Sequence, residues 1–216
     1  MKFIRFKADT PQEMKGIMEG GTITRIHGSF FQNYTVADEK YDPELVRLLP
    51  PVLPRTIACF GEGAGTYIKS PASLGAGGEI VCPEGNILYC VPRLGFVLTK
   101  SGSADIFGIM PVLDFITERE YGGIEASCPG YTATGPLLYA DPAAYSYRPE
   151  FTVNGMRHSF APNYGKLAQE LPGIMRVELV TGDLLAFGLG ECFECHPGDK
   201  LSIAFEREHP LAVSLV

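Results

Sequence analysis

The sequence predicts a mainly β, α+β fold of many short strands joined by tight turns, with a small N-terminal β module ahead of the larger domain. Three observations carry this. Gly and Pro are abundant, at 25 and 17 of 216 residues, and they punctuate short apolar runs. Those runs are rich in Val, Ile, Phe and Tyr, which suit a pleated, half-buried surface better than a helix. Turn signals such as Gly20-Gly21 and Asn154-Gly155 separate them at hairpin spacing.

In chain order, Lys2 to Lys7 alternates like an edge strand, and Gly16 to Ile26 reads as two strands around a Glu-Gly-Gly turn. Asp42 to Leu49 reads as one short helix, with Asp42 as N-cap and Pro43 at the first helical position, where its missing N–H costs nothing. The run Leu49-Pro-Pro-Val-Leu-Pro54 breaks that helix and forms a stiff linker. The boundary therefore falls between a module at 1–53 and a larger domain at 54–216. Thr56 to Phe60 is a short buried strand entering Gly61-Glu-Gly-Ala-Gly65. Ile87 to Thr99 and Ile106 to Thr117 are longer apolar strands, Phe151 to His158 is a hairpin turning at Asn154-Gly155, and Gly165 to Leu171 holds a helical turn or two. Met175 to Phe187 and Lys200 to Leu215 supply the last strands, turning near Gly182-Asp183 and His209-Pro210. The four long segments are expected in one curved sheet.

Composition works by exclusion. At 45% hydrophobic and 20% charged, the chain is too apolar for disorder. The formal net charge is −7 and Lys and Arg form no basic run, which argues against nucleic acid as a partner. No apolar stretch reaches the roughly 20 residues needed to span a membrane. The N-terminal residues lack the uninterrupted apolar region of a secretory signal, so a cytoplasmic location with six reduced thiols is expected.

Several segments, in collinear order over nearly the whole chain, resemble the fumarylacetoacetate hydrolase family. They are Phe3-Ile-Arg-Phe6, Gly16-Ile-Met-Glu-Gly20, Val46-Arg-Leu-Leu-Pro-Pro-Val52, Ile57-Ala-Cys-Phe-Gly61 and Ile68-Lys-Ser-Pro-Ala-Ser-Leu74. Further along come Gly135-Pro136, Val153-Asn-Gly155, Thr181-Gly-Asp-Leu-Leu-Ala186 and His196-Pro-Gly-Asp-Lys200. The resemblance implies a C-terminal mixed β-sheet roll of the fumarylacetoacetate hydrolase type and a homodimer. It also implies chemistry on C–C bonds of acylpyruvates or related oxo-acids, with Mg²⁺ or Ca²⁺ holding the substrate's oxygens, as a hard Lewis-acidic cation can.

The same resemblance exposes departures. Two metal-binding Glu residues are expected at i and i+2 of a strand, a spacing that points both to one face. The matching stretch, Tyr89 to Val97, has Val91 and Arg93 at those positions, and an Arg would repel a divalent cation. For the third carboxylate, anchoring on Thr117 and Arg119 puts Phe115 at the metal position; a one-residue bulge would bring in Asp114. The histidine base has no counterpart, the catalytic Lys before Gly135-Pro136 is absent, and a Thr-Gly-Thr reads Phe187-Gly-Leu189. Lys69 and Arg119 remain as candidate catalytic residues. Val91, Arg93, Phe115, Phe187 and Leu189 would line the substrate pocket, refilled with apolar bulk. Asp114 would be the sole metal ligand, and only in the shifted alignment. No cofactor is expected.

Other constellations have bland readings. Cys192-Phe-Glu-Cys195-His196 matches a haem-attachment pattern without an export route, and a tetrahedral zinc site would need two further ligands. Gly61 to Gly65 lacks the following helix of a dinucleotide site and reads as a tight turn. Glu118, Arg119 and Glu120 read as an exposed strand end. His27, His158, His196 and His209 lie beside turns, with no nucleophile paired to them. Cys90 falls on the strand face opposite Val91 and Arg93, so packing rather than nucleophilic chemistry is its expected role. Two functional classes follow: a divergent oxo-acid enzyme, or a non-catalytic paralogue serving as structural or regulatory oligomer or as binder of a small apolar ligand.

Overall fold

A computed structural model describes residues 1–62, 66–99, 106–117, 128–140, 148–161, 179–205 and 209–216. The described elements are almost entirely strands. The N-terminal third holds β1 (Lys2–Lys7), β2 (Met14–Glu19), β3 (Thr22–Gly28), β4 (Tyr34–Tyr41), β5 (Arg47–Leu49) and β6 (Ile57–Glu62). The middle holds β7 (Tyr67–Lys69), β8 (Leu74–Gly75), β9 (Gly78–Ile80), β10 (Leu88–Leu98), β11 (Ile106–Thr117), β12 (Thr132–Thr134) and β13 (Leu138–Tyr139). After these come β14 (Glu150–Val153), β15 (Met156–Ser159), β16 (Leu184–Leu189), β17 (Phe193–Cys195), β18 (Lys200–Ala204) and β19 (Leu211–Leu215).

These strands form two sheets. The larger has 14 strands along the path β4-β3-β2-β1-β13-β11-β10-β16-β6-β7, with β5, β8, β12 and β17 attached beside it. The smaller runs β15-β14-β18-β19-β9. Most pairs are antiparallel, but β6–β16, β8–β12 and β9–β19 are parallel, so the sheets are mixed as expected.

Local chemistry explains the hairpins. Gly20 and Gly21 have φ of 56° and 76°, the left-handed pair that a two-residue turn between β2 and β3 requires. Asn154 (φ 51°) and Gly155 (φ 81°) do the same between β14 and β15. The Asn154 side chain also donates to Asp199 Oδ1 at 2.8 Å and accepts from the Lys200 N–H at 2.9 Å, tying the turn to β18.

Three expectations need correction. β1 is not an edge strand: it lies between β2 and β13 and also pairs with β5. The helix expected over Asp42 to Leu49 is a single 3-10 turn, Pro43–Leu45, capped by Asp42, after which Arg47–Leu49 is strand. The backbone hydrogen bonds of β5 go to β1, with Arg5 opposite Leu49, and this tertiary pairing wins over a weak helical propensity. The four long segments do not share one sheet: β10, β11 and β16 belong to the larger, and β18 and β19 to the smaller. The expected helix at Gly165 to Leu171, and residues 175–178 of the strand expected over Met175 to Phe187, lie outside the described residues.

β10 and β11 are the centre of the core. β10 is buried at every position but Tyr89, and β11 at all but its first two, so both read as continuous apolar runs rather than alternating ones. One face packs with Ile57, Cys59, Val91, Val112 and Ala186. The other packs at one end with Phe60, Leu94, Phe96 and Phe187, and at the other end with Cys90, Leu113, Phe115 and the inner face of the small sheet.

Candidate functional site

Strand register brings the candidate residues together. β10 and β11 pair with Val91 opposite Asp114 and Arg93 opposite Val112. Directly paired residues share a face, and so do residues two apart, so Val91, Arg93 and Asp114 all project to one side. Arg93 is also paired with Gly188 of β16, and Gly188 with Gly61 of β6. Two successive positions without side chains leave the guanidinium free to reach across β16 towards β6 and β7.

The result is a closed polar cluster inside the apolar core. The Arg93 Nε–H donates to Asp114 Oδ2 at 2.6 Å, and the Lys69 Nζ donates to Asp114 Oδ1 at 2.6 Å. The Tyr67 hydroxyl donates to Asp114 Oδ2 at 2.5 Å and accepts from Arg93 Nη2 at 2.9 Å. Arg93 Nη1 donates to the carbonyls of Phe60 (2.9 Å) and Ala186 (3.3 Å). The remaining Lys69 protons go to the carbonyls of Phe115 and Tyr131, both at 2.8 Å. The side chains of Lys69, Arg93 and Asp114 have no exposed surface.

Two cations face one carboxylate here, leaving one formal positive charge in excess. Four backbone carbonyl oxygens point their negative ends at the cations and offset it. Burial by itself would push the Asp114 carboxyl up, but Lys69 and Arg93 overcome it and hold the group below the ordinary carboxylate range. Burial also opposes the charge on Arg93, and Asp114 more than restores it, so the guanidinium is held more firmly protonated than usual. Burial and the Asp114 charge push the Tyr67 hydroxyl well up, and for the same two reasons the neighbouring Cys59 thiol rises to about 12.

The sequence candidates thus divide. Lys69, Val91, Arg93 and Asp114 converge. Phe115 does not: it is Asp114 that shares the face of Val91 and Arg93, while Phe115 packs on the opposite side with Cys90 and Leu113. Phe187, opposite Leu94, likewise faces away and rests on Phe60 with ring centroids 5.4 Å apart. Leu189 packs against that same apolar side. Arg119, with Glu118 and Glu120, lies outside the described residues. Tyr67 and Cys59 were not singled out from sequence. The available signal was the alternation Tyr67-Ile68-Lys69, which puts Tyr67 and Lys69 on one buried face and Ile68 outside.

Other motifs do not build a site. Cys192 is exposed and Cys195 is buried against Cys90, and the His196 ring faces Glu194 at 3.5 Å on the surface. Among the described residues, no group of three or more His, Cys, Asp or Glu side chains is arranged to hold a metal. A groove of about 420 Å³ opens on the small sheet between Arg148, Arg157, Thr152 and Phe205, and none of its lining residues belongs to the cluster. No described helix is long and apolar enough to cross a membrane.

The architecture is that of solved isomerases and hydrolases of the fumarylacetoacetate hydrolase type. The structure of 2-hydroxyhepta-2,4-diene-1,7-dioate isomerase from Mycobacterium marinum aligns over 100% of this chain and 98% of its own, with a TM-score of 0.84 at 18% identity. Fumarylacetoacetate hydrolase from Exiguobacterium antarcticum aligns over 100% and 99%, with a TM-score of 0.78 at 18% identity. Maleylpyruvate hydrolase from Sphingobium sp. SYK-6, solved with manganese(II) and pyruvate, aligns over 100% and 99%, with a TM-score of 0.76 at 15% identity. Residues 1–51 match a sequence-family model described as Rv2993c-like, N-terminal. No curated protein sequence matches the chain.

The described residues around Asp114 do not fit the divalent ion that the resemblance implies. Of the three carboxylate positions, only Asp114 is acidic. Both of its oxygens are already committed to Lys69, Arg93 and Tyr67. A divalent ion placed beside the guanidinium and the Lys69 ammonium would meet repulsion instead of ligands.

Proposed function

We propose that this chain is a non-catalytic counterpart of the oxo-acid hydrolases and isomerases whose fold it shares, working as a homodimeric structural or regulatory subunit. One observation carries the reading: the charged side chains at the centre of the fold, Lys69, Arg93 and Asp114, are fully buried and spent on one another, on Tyr67 and on backbone carbonyls. A group that polarises a carbonyl or moves a proton must touch substrate, and here Lys69 directs its three protons at Asp114, Phe115 and Tyr131. Opening the cluster to a ligand would strand buried charge, at a cost of about 3–5 kcal/mol. Sheets of this kind also leave edges and apolar side chains for a partner copy to cover. Ile68, on the terminal strand β7, and Val36, on the terminal strand β4, are both exposed.

The test is turnover of acetylpyruvate and fumarylpyruvate, followed by loss of the enol absorbance and by pyruvate release, with Mg²⁺, with Mn²⁺ and with EDTA. The expected result is no rate above buffer under any condition, with a dimer by light scattering at micromolar concentration. Turnover in any arm would replace this reading with that of a divergent C–C bond enzyme.

A further inference from the structure

We infer that the Arg93 guanidinium, backed by the Lys69 ammonium, is a built-in cation standing in for a divalent metal ion, and that the carboxylate geometry for such an ion persists beneath it. Position is the first support. Val91 and Arg93 sit two apart on β10, and Asp114 sits directly opposite Val91 on β11, so three side chains from adjacent places on one face point to one spot. That is the arrangement by which three carboxylates could chelate one hard cation.

Environment is the second support. The guanidinium is held as a metal would be, by oxygens converging from several elements. They are Asp114 Oδ2 from β11, the Phe60 carbonyl from β6, the Tyr67 hydroxyl from β7 and the Ala186 carbonyl from β16. An ordinary surface ion pair joins two side chains, whereas this one cation joins four strands to its own.

Charge is the third. Lys69, Arg93 and Asp114 sum to +1. With Glu at 91 alone the cluster would sum to zero with no ion. With Glu at both 91 and 93 the sum is −2, which one divalent cation neutralises. Metal response should therefore be absent in the natural protein, absent in V91E and present in V91E/R93E.

The inference rests on the reading of the cluster as closed, yet the two fail separately. Turnover without metal would remove that reading and leave this one standing. The experiment is thermal unfolding of the natural protein, V91E and V91E/R93E, each with EDTA, 5 mM MgCl₂ or 1 mM MnCl₂. The expected result is a midpoint unaffected by metal in the first two, and one raised by at least roughly 3 °C by Mn²⁺ in the double variant. If V91E/R93E is unfolded in EDTA, titration with Mn²⁺ followed by far-UV circular dichroism reads the same site, because binding then drives folding. A metal-dependent midpoint in the natural protein would overturn the inference. So would a double variant that folds without responding to Mn²⁺, or one that stays unfolded at 10 mM Mn²⁺.

Discussion

Arg93 and Asp114 are diagonal neighbours across β10 and β11, and their Nε and Oδ2 atoms lie 2.6 Å apart with no exposed surface on either side chain. A pair so deeply buried is stabilising only as part of its network, because desolvating either charge alone exceeds what a single contact returns.

Removing the anion should therefore cost far more than removing the whole network. Asp114→Ala leaves Lys69 and Arg93 buried without a counter-charge, and a loss of about 3–5 kcal/mol is expected in urea unfolding. The triple replacement Lys69→Met, Arg93→Met and Asp114→Leu removes every charge at similar volume and should be the more stable of the two. A triple variant less stable than Asp114→Ala would show that the network contributes net stabilisation.

Stability should fall in acid through Asp114. Its folded pKa is held below its unfolded value of about 3.9, so the unfolded chain binds the extra proton first. The contribution is fully present above the unfolded pKa and is lost as pH drops through the folded one. Urea midpoints should rise from pH 3 to 5, and this rise should be shallower in the triple variant. Glu13 and Asp199 are also held low, by Arg5 and by Asn154 respectively, but both are solvent-screened and should contribute little. Identical slopes in the two proteins would count against the assignment.

Thiol labelling should separate the cysteines by depth. Cys192 is exposed and should react first with iodoacetamide at pH 8, while Cys59, Cys90 and Cys195 are buried and should wait for opening of the fold. Cys59, pushed up to about 12, stays a neutral thiol throughout. Peptide mass spectrometry of the native protein showing Cys59 labelled as fast as Cys192 would contradict the packing described for β6.

The turn between β14 and β15 offers a local test. Asn154→Ala removes two hydrogen bonds to the Asp199–Lys200 segment and puts Ala at φ 51°, so a loss of about 1–2 kcal/mol is expected. Asn154→Gly keeps the backbone freedom and loses only the bonds, so it should fall between Ala and the natural residue. An Ala variant as stable as the natural protein would mean the turn is held by its strands alone.

How much of this was legible depended on how local the physics was. Gly20-Gly21 and Asn154-Gly155 announced their hairpins because left-handed backbone is a property of the residues themselves. Asp42 and Pro43 announced a helical start correctly, but nothing near them showed that Arg47 to Leu49 would find β1. Arg93 was legible as a residue hostile to a metal. That its partner would be Asp114 was not, because the register of β10 on β11 decides it and the residues lie 21 positions apart. Tyr67 was hidden for the same reason, its bond to Asp114 spanning 47 positions. Phe115 was misplaced by one residue, which in a strand means the opposite face.

That one-residue sensitivity makes the charged triad an alignment check on an otherwise slippery strand pair. From Leu88 to Leu98, β10 offers Arg93 as its only ionised side chain, and β11 offers only Asp114 between Ile106 and Thr117. Hydrocarbon against hydrocarbon distinguishes one offset from the next only weakly. A slip of one residue would turn Arg93 into the packing around Phe96 and Phe187 and leave Asp114 among aliphatic side chains. Each stranded charge would cost several kcal/mol, so misaligned pairings are rejected before the core can close around them.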